Sequence, residues 1–224
     1  MVSLSPSRQA LTVWPLFLAV GLLMLGNGLQ GSLIGLRGDL EGFATPTVGV
    51  VMSGYYLGFL AASVITPKIV SRVGHVRVYA GLASLASTST LAHLLVIEPA
   101  AWFLFRIVTG SCLAGLYIVA ESWLNGATTH RTRGRILAIY MVVVTTGLAC
   151  GQLLLTAADP GGFILFVLAS LLVSLAVVPV SLVSFPAPAI PGFERIPYRA
   201  ILRAAPIGLV GALVTGAANG AVLG

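Results

Sequence analysis

Pro67-Lys68-Ile69-Val70-Ser71-Arg72-Val73-Gly74-His75-Val76-Arg77 sets three fixed charges and a glycine between two long apolar runs. An arginine or lysine at the centre of a bilayer costs about 2.5–3.5 kcal/mol on insertion scales, so this stretch belongs at a membrane face and its flanking runs cross the hydrocarbon. It orients the chain as well as dividing it.

The wider composition requires a membrane. Of the 224 residues, 58% are hydrophobic and only 8% charged, and the mean hydropathy is +1.03. That is too little polar surface to cover a water-soluble globule. A net charge of +6 in a soluble protein would suggest a nucleic-acid partner, but here the basic residues lie between apolar spans, so no nucleic acid is expected. Cys112 and Cys150 fall inside apolar runs and read as small buried residues. His75, His93 and His130 stand too far apart for a zinc signature, so neither metal nor cofactor is expected.

Backbone groups in lipid must be satisfied within their own segment, so each run of about 20 apolar residues predicts a helix. Runs at about 13–36, 46–66, 77–97, 101–124, 135–157 and 162–184 give six spans. The first is too long for the core of a cleaved signal peptide. Thr45-Pro46 predicts an N-cap and first turn for the second span, and Glu98-Pro99 does the same for the fourth. A seventh run starts at Pro206 and reaches Gly224, so the chain reads as cut within a second bundle.

Charge sorts the connections. Arg8, Lys68, Arg72, Arg77, Arg131, Arg133, Arg135, Arg195, Arg199 and Arg203 fall on one side; Arg37 stands on the other with Asp39, Glu41, Glu98 and Asp159. The positive-inside rule places the first set, and the N-terminus, in the cytoplasm. The expected organisation is a bundle over 1–184, a basic cytoplasmic linker over 185–205 rich in proline, and the start of a seventh span over 206–224. Three spans plus three permit an inverted internal repeat. Gly26-Asn27-Gly28 in the first span is echoed by Gly216-Ala217-Ala218-Asn219-Gly220 in the seventh.

The stretch from Pro67 to Arg77 resembles the signature of the major facilitator superfamily, Gly-x-x-x-Asp-Arg-x-Gly-Arg between the second and third helices. Arg72 and Gly74 match; Pro67, Ser71 and His75 replace the usual glycine, acid and base. Arg106-Ile107-Val108-Thr109-Gly110 is similar to the family's Arg-x-x-x-Gly in the fourth span. Glu121-Ser122, the run Arg133 to Met141 and the run Gly147 to Leu153 resemble the YcaD-like branch. In the fifth span Gly147 and Gly151 keep the antiporter spacing, but Gln152 replaces its proline. The resemblance implies an all-α integral membrane fold, a bundle of two inverted three-helix repeats, and a secondary transporter that alternates access between two such bundles in the bacterial inner membrane. It also implies a cytoplasmic gate loop, here resting on Ser71, Arg72, Gly74 and Arg77.

Polar residues inside the spans are the site candidates. Arg106 reads as a cavity cation for an anionic substrate or a nearby carboxylate, or as an arginine reaching back to the interface. Glu121 lies 15 residues further along the fourth span, about 22 Å at helical rise. It reads as the carrier of a coupling proton or as one half of an ion pair with Arg72, Arg133 or Arg135. Asn27, Gln30 and Gln152 face a cavity or bond helix to helix; Tyr117 and Asn219 complete the substrate candidates, while Tyr55, Tyr56 and Tyr140 read chiefly as packing residues. The glycine ridges Gly54/Gly58 and Gly147/Gly151 read as close-packing surfaces that let helices slide.

Two functions fit the sequence. The first is a secondary transporter of a small-molecule solute, driven by a proton or substrate gradient, with Glu121 as the candidate for proton coupling. The second is a transporter-derived accessory subunit that packs against a second bundle or a larger membrane complex. An enzyme is not expected, because Glu121 has no acids, histidines or metal motif clustered with it.

Overall fold

The computed structural model describes residues 6–129 and 131–182, together with 210, 211 and 214. They form α1 (Pro6–Leu40), α2 (Thr45–Val73), α3 (His75–Leu95), α4 (Pro99–Ala127), α5 (Arg133–Leu153), α6 (Ile164–Leu175) and α7 (Val177–Ser181), with a 3₁₀ turn at Leu154–Ala157 continuing α5. α6 and α7 read on as one apolar segment, so six helices have the length and composition to cross a membrane. The all-α membrane bundle expected from the sequence is the fold. The linker expected over 185–205 and the seventh span expected over 206–224, Asn219 included, lie outside the described residues except for helical positions 210, 211 and 214.

The helices overrun their apolar cores, and the connections shrink accordingly. α2 continues through Pro67 to Val73 and α3 begins at His75, so the expected loop from Pro67 to Arg77 is helix on both sides of Gly74. A proline is tolerated within such a helix because neighbouring groups can satisfy the carbonyl it frees. Gly74 has φ +92°, a region open to glycine but strained for other residues. Its N–H donates to Val70 O at 2.9 Å and its carbonyl accepts from Val78 N at 3.2 Å, closing one helix and opening the next. At the start of α2 the cap is Ala44, with no side-chain capping bond, and Thr45 is already helical. The backbone bond from Thr47 N to Ala44 O, 2.7 Å, performs the closure expected of a Thr45 side chain.

The helices pack in pairs: α2 on α4, α1 on α5, α3 on α4, α1 on α6, and α3 on α6. Exchanging α1 with α4, α2 with α5 and α3 with α6 carries this pattern onto itself. The glycines repeat the exchange at atomic scale. Gly58 lies against the carbonyl of Ile107 and Gly110 against that of Tyr55; Gly151 lies against the carbonyl of Leu25 and Gly28 against that of Leu148. A methyl at any of the four would overlap that oxygen. In each case the carbonyl belongs to the residue three before the facing glycine. One turn earlier, Gly54 meets the carbonyl of Phe103, and Gly147 meets that of Gly21. Three spans per repeat is an odd number, so the second repeat enters from the opposite face, the geometry of an inverted repeat.

Polar side chains inside the bundle join α3 to its neighbours. Ser87 Oγ lies 2.6 Å from Ser170 Oγ and accepts from Ser174 at 2.8 Å; Ser89 donates to Phe105 O at 2.9 Å, and Thr109 to Ser89 at 3.1 Å. At one end Leu29, Leu33, Ile34, Val51, Trp102, Leu165, Phe166 and Ala169 form an apolar core. There the Trp102 indole donates to Val96 O at 2.9 Å. At the same end Arg37 donates to Glu41 at 2.7 Å and to the carbonyls of Pro160 and Gly161. The exceptional cation of the acidic side is thus a clamp between α1 and the turn before α6.

Candidate functional site

Arg106 is the charged residue that the fold buries within a span. α4 places it on the face packed against α2, where the absence of a side chain at Gly54 lets its stem pass. The residue is only 4% exposed. Its guanidinium carbon lies 4.6 Å from the centroid of the Tyr55 ring, a cation–π arrangement. Nε and Nη1 are buried without a hydrogen-bond partner. A buried cation with two unmet donors is a source of attraction for an acceptor that the described residues do not provide.

Around it the side chains grade from aromatic to polar. Tyr55 stacks edge-on to Tyr56 at 5.5 Å, Phe59 lies 6.1 Å from Tyr55, and Tyr117 lies 6.3 Å from Phe59. The Asn27 amide lies beside both the Tyr55 and Tyr117 hydroxyls. Tyr117 also donates to the thioether of Met24 at 2.7 Å. The internal exchange sets Met24 of α1 opposite Arg106 of α4, each next to the close contact of its own glycine pair. Only the second repeat carries the charge.

Further along α4, Glu121 is exposed and accepts a hydrogen bond from the buried Tyr140 hydroxyl at 3.1 Å. The pairing with Arg72, Arg133 or Arg135 does not form; among the described residues the one ion pair is Arg37 with Glu41. The neighbouring Ser122 bonds His75 Nε2 at 3.2 Å, and the His75 ring packs 5.9 Å from Trp123. Glu121-Ser122 therefore ties the end of α4 to both α5 and the start of α3. Ser71 bonds within its own helix to Lys68 O at 2.9 Å, while Arg72 and Arg77 are exposed.

The structure separates the amide candidates. Gln30 is 2% exposed and donates to Thr90 Oγ1 at 2.9 Å, so it belongs to the α1/α3 interface and not to the strip with Asn27. A spacing of three on a helix puts two residues near one face, but those 300° of rotation still leave them turned toward different neighbours. Gln152 is exposed beside Gly151 and does not join the Arg106 cluster. Tyr55, read as packing from the sequence, is the residue that covers the buried cation. Its position three before a ridge glycine was the available signal. His93, too distant in sequence from the other histidines for a zinc signature, is a core residue whose Nδ1 donates to Ser89 O at 2.8 Å, ringed by Trp102, Phe105 and Phe166.

No family model matches the chain. Over 136 residues it is 38% identical to the uncharacterized MFS-type transporter YcaD of Escherichia coli strain K12 / DH10B and of Escherichia coli O157:H7 strain EC4115 / EHEC. The match covers 60% of this chain and 35% of each relative, so the chain spans about a third of the length of the curated relatives it matches.

Proposed function

We propose that this chain, 38% identical over 136 residues to an MFS-type transporter, works as one bundle of a secondary active transporter of the major facilitator superfamily. It moves a small solute across the bacterial inner membrane by alternating access, with its N-terminus and basic connections in the cytoplasm. The observation that carries this reading is Arg106, a cation buried in a membrane span with two donors unmet. Its desolvation is hard to account for in a purely structural subunit and is offset when a solute or coupling group supplies the acceptor.

In this reading Tyr55, Asn27 and Tyr117 line the cavity shared with a second bundle, and Arg106 lies behind the Tyr55 ring. Glu121, next to Tyr140, carries the coupling proton, and Ser71, Arg72, Gly74 and Arg77 form the cytoplasmic gate. Gly74 serves the gate as a hinge, since its positive φ fixes the turn while Arg72 and Arg77 remain free to pair. The seventh span, with Asn219, begins the second bundle.

Reconstitution into proteoliposomes with an imposed pH gradient tests the proposal, using solutes selected by thermal shift from a metabolite and drug panel. Gradient-driven accumulation that Arg106→Ala reduces, with membrane insertion retained, is the expected result. Equal flux in wild type and the variant would remove Arg106 from the transport site.

A further inference from the structure

We infer that the ligand held at Arg106 is a soluble monoanion, a carboxylate on an aromatic or otherwise apolar body; this deepens the transporter reading and rests on it. Three observations converge. The guanidinium is buried with Nε and Nη1 unpartnered, and no carboxylate among the described residues forms an ion pair with it. The counter-charge is therefore left for a ligand to bring. The remaining described lysines and arginines lie at or beyond the span ends, so the site offers one positive charge. A carboxylate matches it, whereas a phosphate dianion would carry a second, uncompensated charge into low dielectric.

The body of the ligand follows from the walls. Tyr55 covers the cation with its ring face, and Phe59 and Tyr117 extend the aromatic surface in steps of 6.1 and 6.3 Å. Such a surface takes apolar or aromatic groups by area and ring packing. Asn27, beside two tyrosine hydroxyls, adds neutral donors and acceptors without a second charge. A lipophilic cation would meet Arg106 with like charge, and a neutral ligand would leave the buried donors unmet or only partly compensated.

An anionic lipid headgroup presents the same charge as a soluble anion, so the test separates them. The chain is placed in phosphatidylcholine nanodiscs and titrated with radiolabelled benzoate, with benzamide as the neutral shape control and tetraphenylphosphonium as the cation. Saturable benzoate binding is expected, about tenfold weaker in Arg106→Gln and partly kept in Arg106→Lys, with no saturable binding of the two controls. Helical content by circular dichroism checks that both variants are folded. Three results overturn the inference: no saturable benzoate binding to the folded wild type, equal binding of benzamide, or undiminished binding in folded Arg106→Gln. Abolition of benzoate binding by added phosphatidylglycerol would assign the anion to the bilayer and also overturn it. Proteoliposomes keep the two readings distinct. Benzoate binding without gradient-driven flux of any panel solute defeats the transporter reading alone, and flux of cations untouched by Arg106→Gln defeats this one alone.

Discussion

The guanidinium of Arg106 on α4 is covered by the ring of Tyr55 on α2, 4.6 Å from carbon to centroid, and the Tyr55 carbonyl lies in the notch left by Gly110 one turn further along α4. One residue of α2 thus supports a charge with its side chain and a helix contact with its backbone. Phenylalanine preserves the ring face, so Tyr55→Phe should retain most of the stability of the pair. Tyr55→Leu should lose about 0.5–2 kcal/mol. Denaturant unfolding in mixed micelles measures both; equal losses in the two variants would show that the hydroxyl, not the ring, matters.

The glycine contacts give a symmetric expectation. Gly58→Ala, Gly110→Ala, Gly28→Ala and Gly151→Ala each push a methyl into a backbone carbonyl, and each should destabilise by about 1–3 kcal/mol, the range for overpacking. Gly35→Ala, with open space at that position, serves as the control and should be neutral or slightly stabilising within its helix. The same unfolding assay decides. A neutral result at both members of one pair would dissolve that contact.

Gln30 should prove to be a stability residue. Replacing it with Leu removes its bond to Thr90, at a cost of about 0.6 kcal/mol and up to about 1.7, the measured range for helix-to-helix bonds in membranes. Binding of a solute at Arg106 should be unchanged. Loss of binding with intact stability would return Gln30 to the cavity.

If Glu121 carries the coupling proton, Glu121→Gln should abolish pH-driven accumulation while solute exchange continues. Glutamine still accepts from the Tyr140 hydroxyl, so the tie from α4 to α5 should persist. Retained accumulation against the solute gradient would end the coupling role.

Arg37→Lys should not replace arginine at the α1 clamp. The guanidinium reaches Glu41 and two turn carbonyls at once, and a lysine ammonium lacks that fork. Amide hydrogen exchange across 158–162 should accelerate in the lysine variant; unchanged protection there would mean that the turn holds itself, through bonds such as Gly161 N to Asp159 Oδ1 at 2.9 Å.

The spans were legible because hydrocarbon thickness sets a minimum length that six runs meet. Their ends were less so. Hydropathy records where a helix leaves lipid, and α2 continues past that point to Val73, which is why the Pro67–Arg77 loop contracts around Gly74. Arg106 and Glu121 were visible as isolated charges in apolar runs, but their partners were not. Tyr55 and Tyr140 become partners only through contacts between helices, and an aromatic in a span looks the same whether it covers a cation or fills a gap. Gln30 shows the same limit: an amide in lipid announces a hydrogen bond without naming the acceptor.

The paired glycine contacts have a mechanical consequence. A carbonyl seated where a side chain is missing acts as a detent. Axial travel by one residue, about 1.5 Å, drives that oxygen toward the next Cβ, whereas rotation about the seat disturbs little. α2 with α4 and α1 with α5 should therefore behave as two hinged levers, each pinned at its glycine seats, and the ridges that suggested sliding from the sequence instead oppose it. Displacement is then smallest at the pins and grows toward the helix ends, so the Arg106 cluster sits near a fulcrum while the stroke appears at the two membrane faces.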